Sequence, residues 1–440
     1  MNDAPAPADL IVRAGWIIPV AASGGVLADH ALVVHEGRIT ALCAGPDSAD
    51  LECRERLHLP EHALLPGLVN AHGHSPMSLL RGYADDLPLM PWLEEHIWPA
   101  EQTHVSEEFV RDGARLALAE MLLAGTTTYS DMYFFPAVIA EVVREAGLRC
   151  QLAAPIMEFP TTYGRGSDDY ISKALALHDD LRGEDRISVA LGPHAPYTVS
   201  AESFGKIATY AAELDMAIHI HLHETRGEVL SHVEASGERP IDTLQRIGVL
   251  GPRTQCVHMT DLGRQDIETL VSSGAQVVHC PQSNMKLASG TCPTTELLSA
   301  GVNVALGTDG AASNNNLNLF DEMHSAALLA KLNREDPEIL PAAQVLHLAT
   351  LGGAQALGLD DRIGTLEPGK DADMIAVDLA GPATQPVYNP ISQLVYACNG
   401  SEVTHSWVAG EGLVSDRRLI TVDHTAVLAK AREWAARIKA

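Results

Sequence analysis

Leu64-Leu65-Pro66-Gly67-Leu68-Val69-Asn70-Ala71-His72-Gly73-His74 is an apolar run that stops at two histidines one residue apart. It reads as a buried strand delivering two metal ligands, because residues i and i+2 of a strand point to the same side. Both imidazoles can then reach one cation from a rigid backbone, a donor set that suits zinc or iron. Spacing alone proves little: 20 histidines in 440 residues give about one His-x-His pair by chance. Three occur in the chain. What singles this pair out is its place at the end of an apolar run, with other histidines and acids ending later runs at fairly regular intervals.

Length and composition bound the reading. A chain of 440 residues with 46% hydrophobic side chains exceeds one ordinary domain, fits a large α/β barrel with an accessory piece, and excludes a disordered or fibrous class. The formal charge of −27 is spread along the chain without a Lys/Arg cluster, so nucleic acid would be repelled. Seven cysteines (43, 53, 150, 256, 280, 292 and 398) lie far apart with no Cys-x-x-Cys pair, and read as reduced thiols of a cytoplasmic protein. The stretch 1–10 carries two acids, no basic residue and no apolar core of leader length, and nowhere do 18 uncharged apolar residues run together. A soluble cytosolic protein without membrane contact is expected.

Residues 9–63 read as short strands and turns. From 64 onward apolar strands alternate with helices bearing ordinary end signals: Ser106 with Glu107 and Glu108 opens one and Gly125 closes it, while Pro136 and Gly147 bound another. Further strands are expected at 126–131, 150–156, 187–194, 216–223, 254–258, 275–280 and 302–309, making eight with the first. Eight strands separated by helical stretches predict a (β/α)₈ barrel of the TIM type, whose catalytic groups sit at the C-terminal strand ends. The division expected is 1–63 as the first part of a small β-sandwich, 64–363 as the barrel, and 364–440 as the second part of the sandwich with a last helix near 424–439.

At the strand ends the chemistry becomes specific. In His219-Ile220-His221-Leu222-His223-Glu224 three histidines share one face by alternation. A third ligand near the strand's end is His221 or His223, with His219 as a hydrogen-bonded barrel-interior residue. Glu224 is then the acid beside the metal, able to move a proton, work that contributes ~10²–10⁴-fold. The strand over 302–308 ends in Asp309, followed by Gly310-Ala311-Ala312-Ser313. Asp309 is a natural fourth ligand that can also take the proton of a coordinated water, whose pKa falls from about 15.7 to ~7; the same Thr-Asp-Gly is also an ordinary turn sequence. His194, His258 and His279 end three more strands and argue together for a polar pocket. One metal is expected, because the fourth strand, 187–194, holds no Lys, Asp or Glu to bridge a second.

Taken together, these motifs resemble the amidohydrolase superfamily, and within it the 5′-methylthioadenosine/S-adenosylhomocysteine deaminases and the related triazine hydrolases. The resemblance covers essentially the whole chain. It rests on residues 66–74, on Leu79-Leu80-Arg81-Gly82, Pro99-Ala100-Glu101 and Gly192-Pro193-His194-Ala195-Pro196-Tyr197, then on His221-Leu222-His223-Glu224, His279-Cys280-Pro281-Gln282-Ser283-Asn284 and residues 307–313. It implies His72, His74, His221 and Asp309 as ligands of one divalent metal, zinc with iron also accepted, and leaves His223 as a spacer. It implies Glu224 as the proton-transfer acid that also contacts the substrate ring, His258 as the residue holding the attacking water, and Glu101 and His194 as substrate-binding, Glu101 on the ribose hydroxyls. Arg165 is the one arginine found where a longer substrate's carboxylate could be held.

The reaction implied is hydrolytic deamination at C6 of an adenine ring in 5′-methylthioadenosine, with adenosine and S-adenosylhomocysteine as further candidates. Glu224 protonates N1 and Asp309 relays the water proton to departing ammonia. A homodimer or tetramer is implied as well. Rival readings are a hydrolase of a free base or heteroaromatic ring on the same scaffold, such as a guanine or pterin deaminase or a triazine hydrolase, and a catalytically silent assembly protein.

Overall fold

The computed structural model describes residues 7–21 and 24–439; most of the stretch 1–10 read for leader character lies outside them. Eight parallel strands form one sheet in sequence order: Leu68–Gly73, Thr126–Asp131, Arg149–Ile156, Ile187–Pro193, Ala217–Leu222, Thr254–His258, Gln276–His279 and Val304–Leu306. A parallel bridge between Gly73 and Asp309 brings the last strand's end back to the first. This is the (β/α)₈ barrel expected from the eight apolar runs. Helices cover its outer face, so strands buried on both faces need no polar alternation.

The helix signals act where they were expected. Ser106 accepts the Phe109 N–H at the start of helix Glu107–Leu123, and Gly147, in the left-handed conformation, ends helix Pro136–Ala146. Strand ends differ from expectation by a few residues, for a local reason. The strand over Thr254–His258 is as expected, whereas at His223 and Asp309 a positive φ (51° and 62°) turns the chain sharply at the barrel mouth and the regular ladder stops early. The eighth strand is regular only over Val304–Leu306, and Asp309 lies beyond it.

The N- and C-terminal segments join in a second, mixed sheet of eight strands. Its central strand Cys53–Pro66 pairs with Ala8–Ile17 on one side and with Met374–Asp378 on the other. That same strand runs through Gly67 into the first barrel strand. A Cβ at Gly67 would lie 2.0 Å from Thr127 Oγ1, so only glycine lets the two sheets meet there. The last helix, His424–Lys439, docks on Glu107–Leu123 through an edge-on contact of Trp434 with Phe109 and a 2.9 Å hydrogen bond from Trp434 Nε1 to Asp112. No helix among the described residues is long and apolar enough to cross a membrane. All seven cysteines are free thiols.

Between the first and second barrel strands the chain makes an excursion that the hydrophobic pattern does not announce. A short 3₁₀ segment Ser75–Leu80, a π-helical turn Leu93–Ile97 and helix Trp98–His104 build one wall over the barrel mouth.

Candidate active site and metal centre

His72 and His74 leave the first barrel strand on its interior side, and His221 faces them from the fifth. With Asp309 they bring four ligand atoms within 4.8 Å of one another. His72 Nε2 lies 3.2 Å from His221 Nε2 and 3.3 Å from Asp309 Oδ1, and His74 Nε2 lies 3.1 Å from the same oxygen. Bonds of ~2.0 Å in a tetrahedron put ligand atoms roughly 3.3 Å apart, so the spacing fits one divalent cation.

Hydrogen bonds settle which ring nitrogen is free. His74 Nδ1 donates to the Met132 carbonyl (2.6 Å) and His221 Nδ1 to the His194 carbonyl (2.8 Å). The Gln255 amide is oriented by its Nε2 donating to Ala356 O, so its Oε1 accepts from His219 Nδ1 at 2.6 Å. His219 Nε2 must then accept from His72 Nδ1, 2.8 Å away. All three imidazoles thus turn Nε2 to one point, each held by a partner behind it. Burial pushes His72 and His221 well below the usual imidazole range, which favours the neutral, ligating form; at His74 burial is outweighed by the hydrogen bond and charge of Asp309, which hold it up to about 9, so a cation would bind there by displacing a proton. Asp309 Oδ2 accepts from Ser283 (2.7 Å) and Ser313 (2.9 Å), leaving Oδ1 toward the histidines.

One expectation needs correcting here: His219, His221 and His223 do not share a face. The strand ends at Leu222, and the left-handed turn at His223 swings its imidazole away, onto Asp261 O (2.8 Å) and the Ile241 N–H (3.2 Å). His219 sits in the barrel interior as expected.

Above the ligand cluster opens a cavity of about 570 Å³ whose wall includes His74, Glu101, His194, Glu224, His258 and Asp309. The Glu224 carboxyl is pushed up to about 8 by burial and by the charge of Asp309. His258 Nδ1 pairs with Asn284 Oδ1 at 2.9 Å, and its Nε2 faces Glu224 Oε1 at 3.9 Å. Burial also raises Glu101, to about 7, although it accepts a 2.7 Å hydrogen bond from Tyr133 OH. His194 Nδ1 meets Thr198 Oγ1 at 3.0 Å, and burial holds it down to about 4.

Two residues lie elsewhere. His279 turns out of the barrel interior and lines a separate recess with Cys292 and Glu296; pleat alternation on a four-residue strand sends it to the opposite face from Val278. Arg165 is exposed, paired with Asp169 at 3.2 Å, and does not line the cavity. The residue reading missed Tyr133, just past the second strand, and the aromatic wall of Trp92, Trp98, Phe134 and Phe159. Ser283, Asn284 and Ser313 stood in the quoted motifs without an assigned part.

The sequence model of the amidohydrolase family matches residues 63–413. The chain belongs to the amidohydrolase family. Within that family it is 50% identical over 427 residues, 97% of each chain, to a 5-methylthioadenosine/S-adenosylhomocysteine deaminase of Teredinibacter turnerae. A second deaminase of that name, from Saccharophagus degradans, is 50% identical and aligned over 99% of this chain and 98% of its own. Among solved structures, an adenosine deaminase from Xanthomonas campestris with bound zinc superposes with a TM-score of 0.97 at 47% identity, covering 99% of this amidohydrolase and 100% of that chain. The zinc complex of an atrazine chlorohydrolase from Arthrobacter aurescens shares the fold with a TM-score of 0.90 at 24% identity, over 97% of this chain and 100% of its own.

Proposed function

We propose that this amidohydrolase is a metal-dependent hydrolytic deaminase that converts 5′-methylthioadenosine, and more weakly adenosine, to the inosine analogue and ammonia. The observation that carries the reading is one cavity lined by Glu224, by the ligands His74, His221 and Asp309, and by a second buried acid, Glu101. His72, His74, His221 and Asp309 would hold the cation, for which we propose zinc, the metal of the solved relative. When bound it supplies Lewis acidity and lowers the pKa of water toward neutrality.

The chain's own groups do the rest. A carboxyl at about 8 carries a proton at neutral pH, and Glu224 delivers it to N1; otherwise the ring could not accept the electron pair of water adding at C6. His258 orients that water. Asp309 takes one of its protons and passes it to the C6 amine, because amide ion is a poor leaving group; as ammonia departs and the C6 carbonyl forms, the remaining hydroxyl proton returns to Glu224, so the balance is water in, ammonia out. Glu101 accepts the ribose hydroxyls, with Tyr133 fixing its other oxygen, and His194 lies against the substrate.

Substrate preference follows from the outer wall. Among the described residues it carries Trp92, Trp98, Phe134 and Phe159 but no lysine or arginine. A thioether methyl is buried there favourably, at about 25 cal/mol per Å², whereas the charged amino-acid end of S-adenosylhomocysteine finds no cation for its carboxylate. A free base or triazine gives Glu101 nothing to bind, which disfavours the guanine- and triazine-type alternatives; a complete ligand set disfavours a silent assembly role. A net charge of −27 speaks against nucleic acid. Free cysteines suit the cytoplasm, and we propose a homo-oligomer.

Ammonia release from 5′-methylthioadenosine, adenosine, S-adenosylhomocysteine and guanine, measured in parallel on metal-analysed protein, tests this. Strong preference for the first supports it. Activity on guanine alone, or on none with metal bound, overturns the substrate assignment.

A further inference from the structure

Glu224 sits just beyond the regular end of the fifth barrel strand, where the sheet no longer holds the backbone. Its peptide is nevertheless fixed at both ends by side chains. The Glu224 N–H donates to Glu228 Oε2 at 2.8 Å, and the Thr260 hydroxyl donates to the Glu224 carbonyl, also at 2.8 Å. Glu228 is itself placed by a capping arrangement, its N–H donating to Thr225 Oγ1 at 3.1 Å at the start of helix Arg226–Ser236. Among the described residues the second oxygen of Glu228 is buried without a partner, a cost accepted at this position.

His223 completes the arrangement. A left-handed φ at a non-glycine residue is uncommon, and here it is the bend that turns Glu224 back into the cavity. The imidazole bridges two other elements across this bend, donating from Nδ1 to Asp261 O and accepting at Nε2 from the Ile241 N–H. That N–H is one of the orphan donors in the first turn of helix Pro240–Ile247. The Arg239 guanidinium supports the same carbonyl of Asp261 at 2.7 Å. Glu228 and Thr260 thus hold the Glu224 peptide and His223 anchors the bend before it, so three side chains fix the backbone of one acid whose aim decides a proton transfer, and a misplacement of about 1 Å can cost ~100-fold in rate.

We propose that His223, Glu228 and Thr260 are positioning residues for Glu224, acting on catalysis through the direction of that carboxyl without touching substrate or metal. The proposal rests on the role given to Glu224 above. The test compares His223→Asn, which tolerates the left-handed bend but cannot bridge, with Glu228→Ala, Glu228→Gln, Thr260→Val and Glu224→Gln in the metal-loaded enzyme. Readouts are kcat and KM for 5′-methylthioadenosine, bound metal and thermal midpoint.

The expected result is a kcat lowered about 10- to 100-fold in His223→Asn and Glu228→Ala, with bound metal unchanged and KM within about threefold. Glu228→Gln keeps an oxygen for the Glu224 N–H and recovers most of the loss. Full kcat alongside a lowered thermal midpoint would make these residues merely structural and overturn the proposal, as would loss of metal. If His223→Asn does not fold, the Glu228 pair and Thr260→Val decide by the same criteria. An active Glu224→Gln would instead bring down the role of Glu224 itself, so the two failures are told apart.

Discussion

The two ends of the barrel both bury charge, and they treat it oppositely. At the N-terminal end Arg149 opens the third strand, 2% exposed, and donates to Asp373 (3.1 Å), Asp371 (3.0 Å) and the Asp185 carbonyl (3.0 Å). Arg362 reaches the same Asp371, Nε to Oδ2 at 3.0 Å, and the Gly67 N–H donates to Asp373 O at 3.0 Å. Two guanidinium groups face two carboxylates, so the protein closes the account of charge with its own atoms and ties the terminal sheet to the barrel. At the C-terminal end the Nε2 atoms of three imidazoles and one carboxylate oxygen converge within 4.8 Å of one another. Buried acceptors left facing one another are expensive unless something positive joins them. A buried cluster satisfied from within is structure; one whose ligand atoms are aimed at a single point is a site.

Substitutions can break or sharpen that contrast. The largest effect is expected from His72→Ala, which removes a ligand: bound metal, read by elemental analysis, and ammonia release should disappear together while the fold persists. Next is Glu224→Gln, which should keep the metal and lower kcat by at least about 100-fold; a metal-free Glu224→Gln would contradict the division between ligand and acid. Arg149→Met should do the reverse, costing about 3–5 kcal/mol in urea unfolding by leaving buried Asp373 without its cation while Asp371 keeps Arg362, with bound metal and kcat of the folded protein unchanged.

The smallest effect concerns Glu101. Burial holds its carboxyl near 7, so the anionic form that accepts ribose hydroxyls is present above that pH and lost below it. KM for 5′-methylthioadenosine should rise as pH falls from 8 to 6. Tyr133→Phe deletes a hydrogen bond that works against the raised value, so it should move this limb to higher pH and raise KM by the ~0.5–1.5 kcal/mol of one hydrogen bond.

The same contrast explains what could be read from the chain. The C-terminal end was legible because each ligand sits at the end of an apolar run: residues 64–74, 216–223 and 302–309 mark strands, and strand alternation places His72 with His74. Alternation failed at His223, since nothing local in His-Leu-His-Glu announces a left-handed bend enforced by contacts with Asp261 and Ile241. At His279 alternation does set the face, opposite to Val278, but the sequence alone does not say which of the two faces the barrel interior. The N-terminal cluster was invisible, because Arg149 and its partners Asp371 and Asp373 stand 222 and 224 residues apart. The excursion carrying Trp92, Trp98 and Glu101 has a π-helical turn and short helical pieces with no single period, so only family resemblance pointed to Glu101, and nothing pointed to Tyr133.

The most direct test is to strip the enzyme with a chelator and add zinc back while following ammonia release from 5′-methylthioadenosine. The account predicts that activity vanishes on stripping and returns in proportion to zinc, levelling off at one metal per chain. Activity that survives without metal, or that keeps rising until two are bound, would contradict it.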